Sequence, residues 1–138
     1  MPEVQLQIKL KESYFTRLEF NQTTPPKNAK IRLKITPSYT MDVFRDRNEV
    51  EANINLSIES DDNNFLINVS MHTLIEFNAE TLNDENMLGN LICNLMWPHI
   101  RSEVTLLSSQ PGIMPIVLQL QTPVFKREDQ SVFPTYVV

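Results

Sequence analysis

Few side chains in this 138-residue sequence have the type and spacing that chemistry requires. His72, Cys93 and His99 are the candidates for metal ligation, but they fall on different predicted elements with no local pairing. A strand-surface histidine, a thiol packed in a helix and a histidine beside a helical proline account for all three without a metal. Cys93 and His99 are also the one pair that resembles a nucleophile with its base. Six residues apart on a helix, they point to different faces. Glu49, Glu51 and Glu59 read as paired carboxylates or, more simply, as the solvated face of a strand set against lysines. The two glycines, Gly89 and Gly112, are too few and too far apart for a phosphate-cradling loop. No catalytic residue, metal site or cofactor is assigned. What remains is an aromatic and methionine set, Tyr39, Met41, Phe44, Met96, Trp97 and Met114, whose members pack in a core or line an adaptable binding surface.

The elements that carry these residues follow from periodicity. Val4, Leu6, Ile8 and Leu10 alternate with Gln5, Gln7, Lys9 and Lys11, the period of a strand with one buried face. Leu18 and Phe20 continue that strand beyond an irregularity near Ser13. The turn-forming run Thr23-Thr24-Pro25-Pro26-Lys27-Asn28 closes it. A second strand sets Ile31, Leu33 and Ile35 against Lys30, Arg32 and Lys34; Pro37 marks an edge position or a bulge, and Tyr39, Met41 and Val43 resume the alternation. The third strand sets Val50, Ala52, Ile54, Leu56 and Ile58 against Glu51, Asn53, Asn55, Ser57 and Glu59. Lys30, Arg32 and Lys34 are expected to face Glu49, Glu51 or Glu59 across the ladder. After the Ser60–Asn64 turn, Phe65, Ile67, Val69, Met71, Ile75 and Phe77 are in phase, with Leu66 and Leu74 on the other face.

The period then changes. Thr81 or Asn83 is placed to cap a helix, with Asp84 and Glu85 in its first turn. Leu88, Leu91, Ile92, Leu95 and Met96, then Ile100, Val104 and Leu107, recur at helical spacing. Pro98 inside this run predicts a kink near Asn94. Gln110-Pro111-Gly112 ends the helix, Ile113 to Leu120 is extended, and the residues after Pro123 read as loop or tail. The expected fold is α+β, a four-stranded antiparallel sheet followed by one long Pro-kinked helix, in a single domain over residues 1–138.

Composition narrows the partners. A net charge of −5 disfavours nucleic acid and anionic membrane, both polyanions. No apolar stretch approaches the about 20 residues that cross a bilayer. The Met1-Pro2-Glu3-Val4-Gln5 start lacks a secretory pattern, and one cysteine suits a reducing compartment, so the expected location is the cytoplasm. Glycosylation sequons at Asn21, Asn55 and Asn68 are then chance matches. One sheet and one helix cover each other incompletely, which leaves apolar surface for self-association or for a ligand.

The run Asn94-Leu95-Met96-Trp97-Pro98-His99-Ile100-Arg101 resembles the SecB family of protein-export chaperones, which carries an apolar-aromatic-Pro-aromatic run followed by Arg in its long helix. Gly112-Ile113-Met114-Pro115-Ile116-Val117-Leu118 is similar to the segment after that helix, and Phe65-Leu66-Ile67-Asn68-Val69 with Ile75-Glu76-Phe77 to the fourth strand. The order of elements agrees over Val50 to Pro123 and more loosely from Val4. The resemblance implies a dimer of dimers and an ATP-independent chaperone that holds unfolded or partly folded polypeptides in apolar grooves, for protein export. Tyr39, Met41 and Phe44, with Trp97 and Met114, are the expected peptide-binding residues. Leu66 and Asn68 fall on the strand surface that docks the SecA motor in that family. Asn68 stands where the family has an acidic residue, and the tail from Val124 shows no helical period, so the resemblance does not extend to SecA coupling. A solitary variant dedicated to the antitoxin of a toxin–antitoxin–chaperone system fits these departures equally. A small thioesterase-like enzyme with Glu or His in a groove is the reading from another class.

Overall fold

The computed structural model describes residues 8–22, 32–61, 63–78, 81–110 and 115–128. Four long strands, β1 (Ile8–Gln22), β2 (Leu33–Phe44), β3 (Glu49–Ser60) and β4 (Phe65–Phe77), precede one helix, α1 (Glu85–Ser108). A two-residue strand, β5 (Lys126–Arg127), follows. The sheet has five strands in the order β1-β4-β3-β2-β5. The first four are mutually antiparallel, but β5 runs parallel to β2, through Ser38↔Lys126 and Tyr39↔Arg127. The expected four-stranded antiparallel sheet is thus corrected to a mixed, five-stranded one. The fold is α+β.

Alternation fixes which side of the sheet is covered. In β4 every odd residue from Phe65 to Phe77 is buried and every even one partly so. Directly paired residues share a face, so Phe20, Ile67, Ile58 and Ile35 form one apolar row across four strands. α1 lies on this side and buries Leu88, Ile92, Cys93, Met96, Trp97, Ile100 and Val104. Apolar positions at both flanks of the same face, Leu10 and Leu18 on β1 and Leu33 and Ile35 on β2, stay exposed.

Two register shifts in β1, between Leu10 and Glu12 and between Phe15 and Arg17, are the irregularity expected near Ser13. One has a visible use: buried Thr73 donates to the backbone carbonyl of Glu12 at 3.3 Å. β2 keeps register with β3 through Pro37↔Leu56, so the proline marks an edge strand and no bulge. Of the expected lysine–glutamate ladder only Lys34↔Glu59 forms; Glu51 faces Asp42, and Lys30 lies outside the described residues. The turns use left-handed Asn48 (φ 54°) and Asn63 (φ 61°), a conformation that asparagine tolerates better than most residues.

Thr81–Asn83 is a short 3-10 turn, and Asp84 caps the helix, its carboxylate accepting from Met87 N–H at 3.1 Å. The cap therefore falls one residue beyond Asn83. α1 runs through Pro98 to Ser108. Among the described residues no helix is long and apolar enough to cross a membrane.

Candidate functional site

The chain after α1 turns back along the helix and is pinned to it by polar contacts. Trp97 Nε1 donates to the carbonyl of Gln119 (3.1 Å), Arg101 Nε to that of Leu118 (2.9 Å) and Thr105 Oγ1 to that of Ile116 (2.9 Å). Ser108 Oγ accepts from Ile116 N–H at 2.7 Å. Trp97, Arg101 and Thr105 are spaced by four and stand in one stripe on α1, so the returning segment runs antiparallel to the helix. Residues 115–119 adopt no regular strand, since helix side chains take the carbonyls that a ladder would use. Beside this clamp lies an open groove of about 440 Å³, lined by Pro98, Arg101, Ser102, Thr105, Leu106, Ser109 and Val117. Leu106 and Val117 (71% exposed) present apolar side chains to solvent in it, and Leu120 and Val124 elsewhere on the returning segment are exposed as well. A shallow lining that mixes Pro98, Leu106 and Val117 with hydroxyl and guanidinium groups suits extended polypeptide. The lining contains no carboxylate, histidine or thiol to activate water.

The expected binding residues are distributed otherwise. Tyr39 (7% exposed), Met41 (2%) and Trp97 (2%) lie in the core under α1 and the tail. Phe44 follows core-facing Val43 and so points to the opposite face of the sheet, where the Arg47 guanidinium sits 4.4 Å from its ring centre. Met114 lies outside the described residues. Leu66 and Asn68 are on the outer face of β4, beside Glu59 and Asn21, and beside Ser57 and Glu19, respectively. Asn68 Oδ1 is buried without a hydrogen-bond partner. No periodic signal marks Phe125, which packs edge-on against Trp97 at 6.1 Å. Its one cue is an aromatic residue just before the charged run Lys126-Arg127-Glu128-Asp129.

The groups weighed for catalysis stand apart. Burial pushes the Cys93 thiol up to about 12, so it stays protonated and unreactive at neutral pH. His99 is exposed on the other side of the helix. His72 is on the outer face, stacked on Tyr14 at 5.0 Å and within 3.2 Å of Asn53 Oδ1. Among the described residues no three histidine, cysteine or acidic side chains gather as a metal would require.

Glu49 has a structural role. Its carboxylate receives Lys11 of β1 and, at 2.9 Å, Arg47 of the β2–β3 turn. The Lys11 hydrogen bond, then that of Arg47, holds it below its ordinary value of 4.5. The same contact raises Lys11 above 10.5. A depressed carboxylate contributes stability that is present above the unfolded value and disappears as pH falls through the folded one. Glu49→Gln is therefore expected to be less stable than the parent at pH 7, with the gap closing as pH falls below the ordinary carboxylate range and through the depressed folded value. Paired urea titrations across that range check this; a gap that persists in acid would contradict it.

Comparison with known proteins defines the class at the level of fold. No protein-family model matches the sequence, and no curated protein matches it. Among solved structures, the chain is similar to a SecB-like chaperone of Mycobacterium tuberculosis, solved in complex with a ChAD peptide from the HigA1 antitoxin. That match has a TM-score of 0.60 at 13% identity, over 83% of this chain and 87% of that one. A protein of unknown function from Streptococcus agalactiae matches with a TM-score of 0.50 at 6% identity, over 84% of this chain and 99% of that one. The fold is SecB-like, as the helix motif and the order of elements anticipate.

Proposed function

We propose that the protein is a non-enzymatic, ATP-independent holding chaperone that binds unfolded or partly folded polypeptides on its apolar surface. The observation that carries this is the open groove between α1 and the returning segment, apolar at Leu106 and Val117, on a SecB-like fold. The solved likeness to a chaperone bound to an antitoxin peptide supports a narrower second reading, a dedicated antitoxin chaperone. The export role is the weaker one: Asn68 places no charge on the outer face of β4, and no SecA complex is expected at low micromolar concentration. The whole chain acts as one domain in the cytoplasm.

Turbidity of a denatured enzyme diluted into buffer without nucleotide tests the reading. The parent is expected to suppress aggregation at near-stoichiometric ratios, and Leu106→Asp with Val117→Asp to lose most of that protection while remaining folded. Absent protection by the parent, or acyl-CoA turnover by it, would sink the proposal. The exposed flanks at Leu10, Leu18, Leu33 and Ile35 need cover. A tetramer or dimer is expected by light scattering, and a 16.0 kDa species at micromolar concentration would contradict it.

A further inference from the structure

We propose that residues 124–128 fill, from within the chain, a docking slot for an extended client stretch bearing an aromatic residue two positions before an arginine or lysine. This deepens the holding reading and rests on it. The slot lies at the β2 edge, over the core residues Tyr39, Met41 and Trp97. Phe125 enters it against Trp97. Lys126 and Arg127 pair with Ser38 and Tyr39, and Glu128 N–H donates to the Tyr39 carbonyl at 2.9 Å. The Arg127 guanidinium donates to Glu85 Oε1 (3.3 Å) and the Met41 carbonyl (3.2 Å). Recognition is thus a backbone ladder, one apolar slot and one acidic partner, the ordinary terms of strand addition to a sheet edge.

Two features make this occupant exchangeable. β5 is two residues long and pairs on one side, whereas its neighbour β2 has twelve residues, all paired with β3. Short, edge-bound elements open at lower cost than the sheet beneath them. Its contacts are also generic: another chain that presents an aromatic ring and a cation at the same spacing makes every one of them. A client then competes with the tail for one site, and opening the tail frees the edge of Trp97 that Phe125 covers.

A reversible lock tests this in the full-length chain. Ser38 and Lys126 are register partners, so Ser38→Cys with Lys126→Cys forms a disulfide that holds the tail shut. Cys93, buried and with its thiol at about 12, stays out of the exchange. The probe is a fluorescent seven-residue peptide, Thr-Pro-Val-Phe-Lys-Arg-Glu, with a control carrying Ser for Phe and Glu for Arg. Anisotropy is expected to show binding by the reduced protein at least tenfold tighter than by the oxidised one, and none of the control. Phe125→Ala is expected to bind the probe at least tenfold tighter than the parent. Equal binding by both redox forms, or no binding by the reduced form, overturns the proposal whether or not Phe125→Ala folds. Loss of aggregation suppression with peptide capture intact counts against the holding function alone.

Discussion

Trp97→Ala is expected to lower the stability of the fold by about 3–5 kcal/mol, the range for deleting a large buried aromatic side chain. Trp97 is 2% exposed and joins three parts of the molecule. Its ring packs in the core beneath α1, its edge meets Phe125, and its indole N–H holds the Gln119 carbonyl. Removing it leaves a cavity and an unpaired carbonyl together. Trp97→Phe separates the two effects, because the apolar ring survives and the donor does not; a loss of about 1 kcal/mol is expected there. Urea unfolding followed by far-ultraviolet circular dichroism measures both. A loss below about 1 kcal/mol for Trp97→Ala would place the residue outside the core.

Gly89→Ala reverses the usual helix rule. In an open helix interior that change stabilises by about 1 kcal/mol. Here Gly89 is buried in α1, and an added Cβ would overlap the Tyr39 hydroxyl and lie 2.7 Å from its Cζ. The ring is fixed in the core, so helix and β2 must separate. A net destabilisation of about 1–3 kcal/mol is expected, the size of ordinary overpacking. In a Tyr39→Leu background the clash is gone, and Gly89→Ala is expected to be neutral or stabilising. Thermal unfolding of the four proteins of this cycle measures the coupling; equal effects in both backgrounds would refute the contact.

Much of the fold was legible because its long elements carry clean periods. Counting by two from Phe65 to Phe77 finds every buried position, polar Thr73 included, despite Leu66 and Leu74 on the other face. The helical spacing from Leu88 to Val104 marks most of the buried stripe of α1, although Leu95 is exposed and Cys93 and Trp97 join the core. Register was not legible: nothing local to Glu49 foretells that Lys11, on β1, supplies its partner in place of a β2 lysine. Nor was β5, whose two residues have no period and whose anchors, Phe125 and Arg127, act only through distant Trp97, Met41 and Glu85. The binding residues show the same limit. Period two announces that Tyr39 and Met41 face inward; it does not tell whether helix, tail or client covers them. The groove itself depends on Trp97, Arg101 and Thr105 catching backbone carbonyls, which leave no trace in side-chain pattern.

Size-exclusion chromatography with light scattering, on the protein mixed with a chemically unfolded enzyme in nucleotide-free buffer, tests client holding most directly. The expected result is a soluble complex whose mass equals one oligomer plus client, stable through the column and formed at near-stoichiometric ratios. A client that precipitates while the protein elutes alone and unchanged would contradict it.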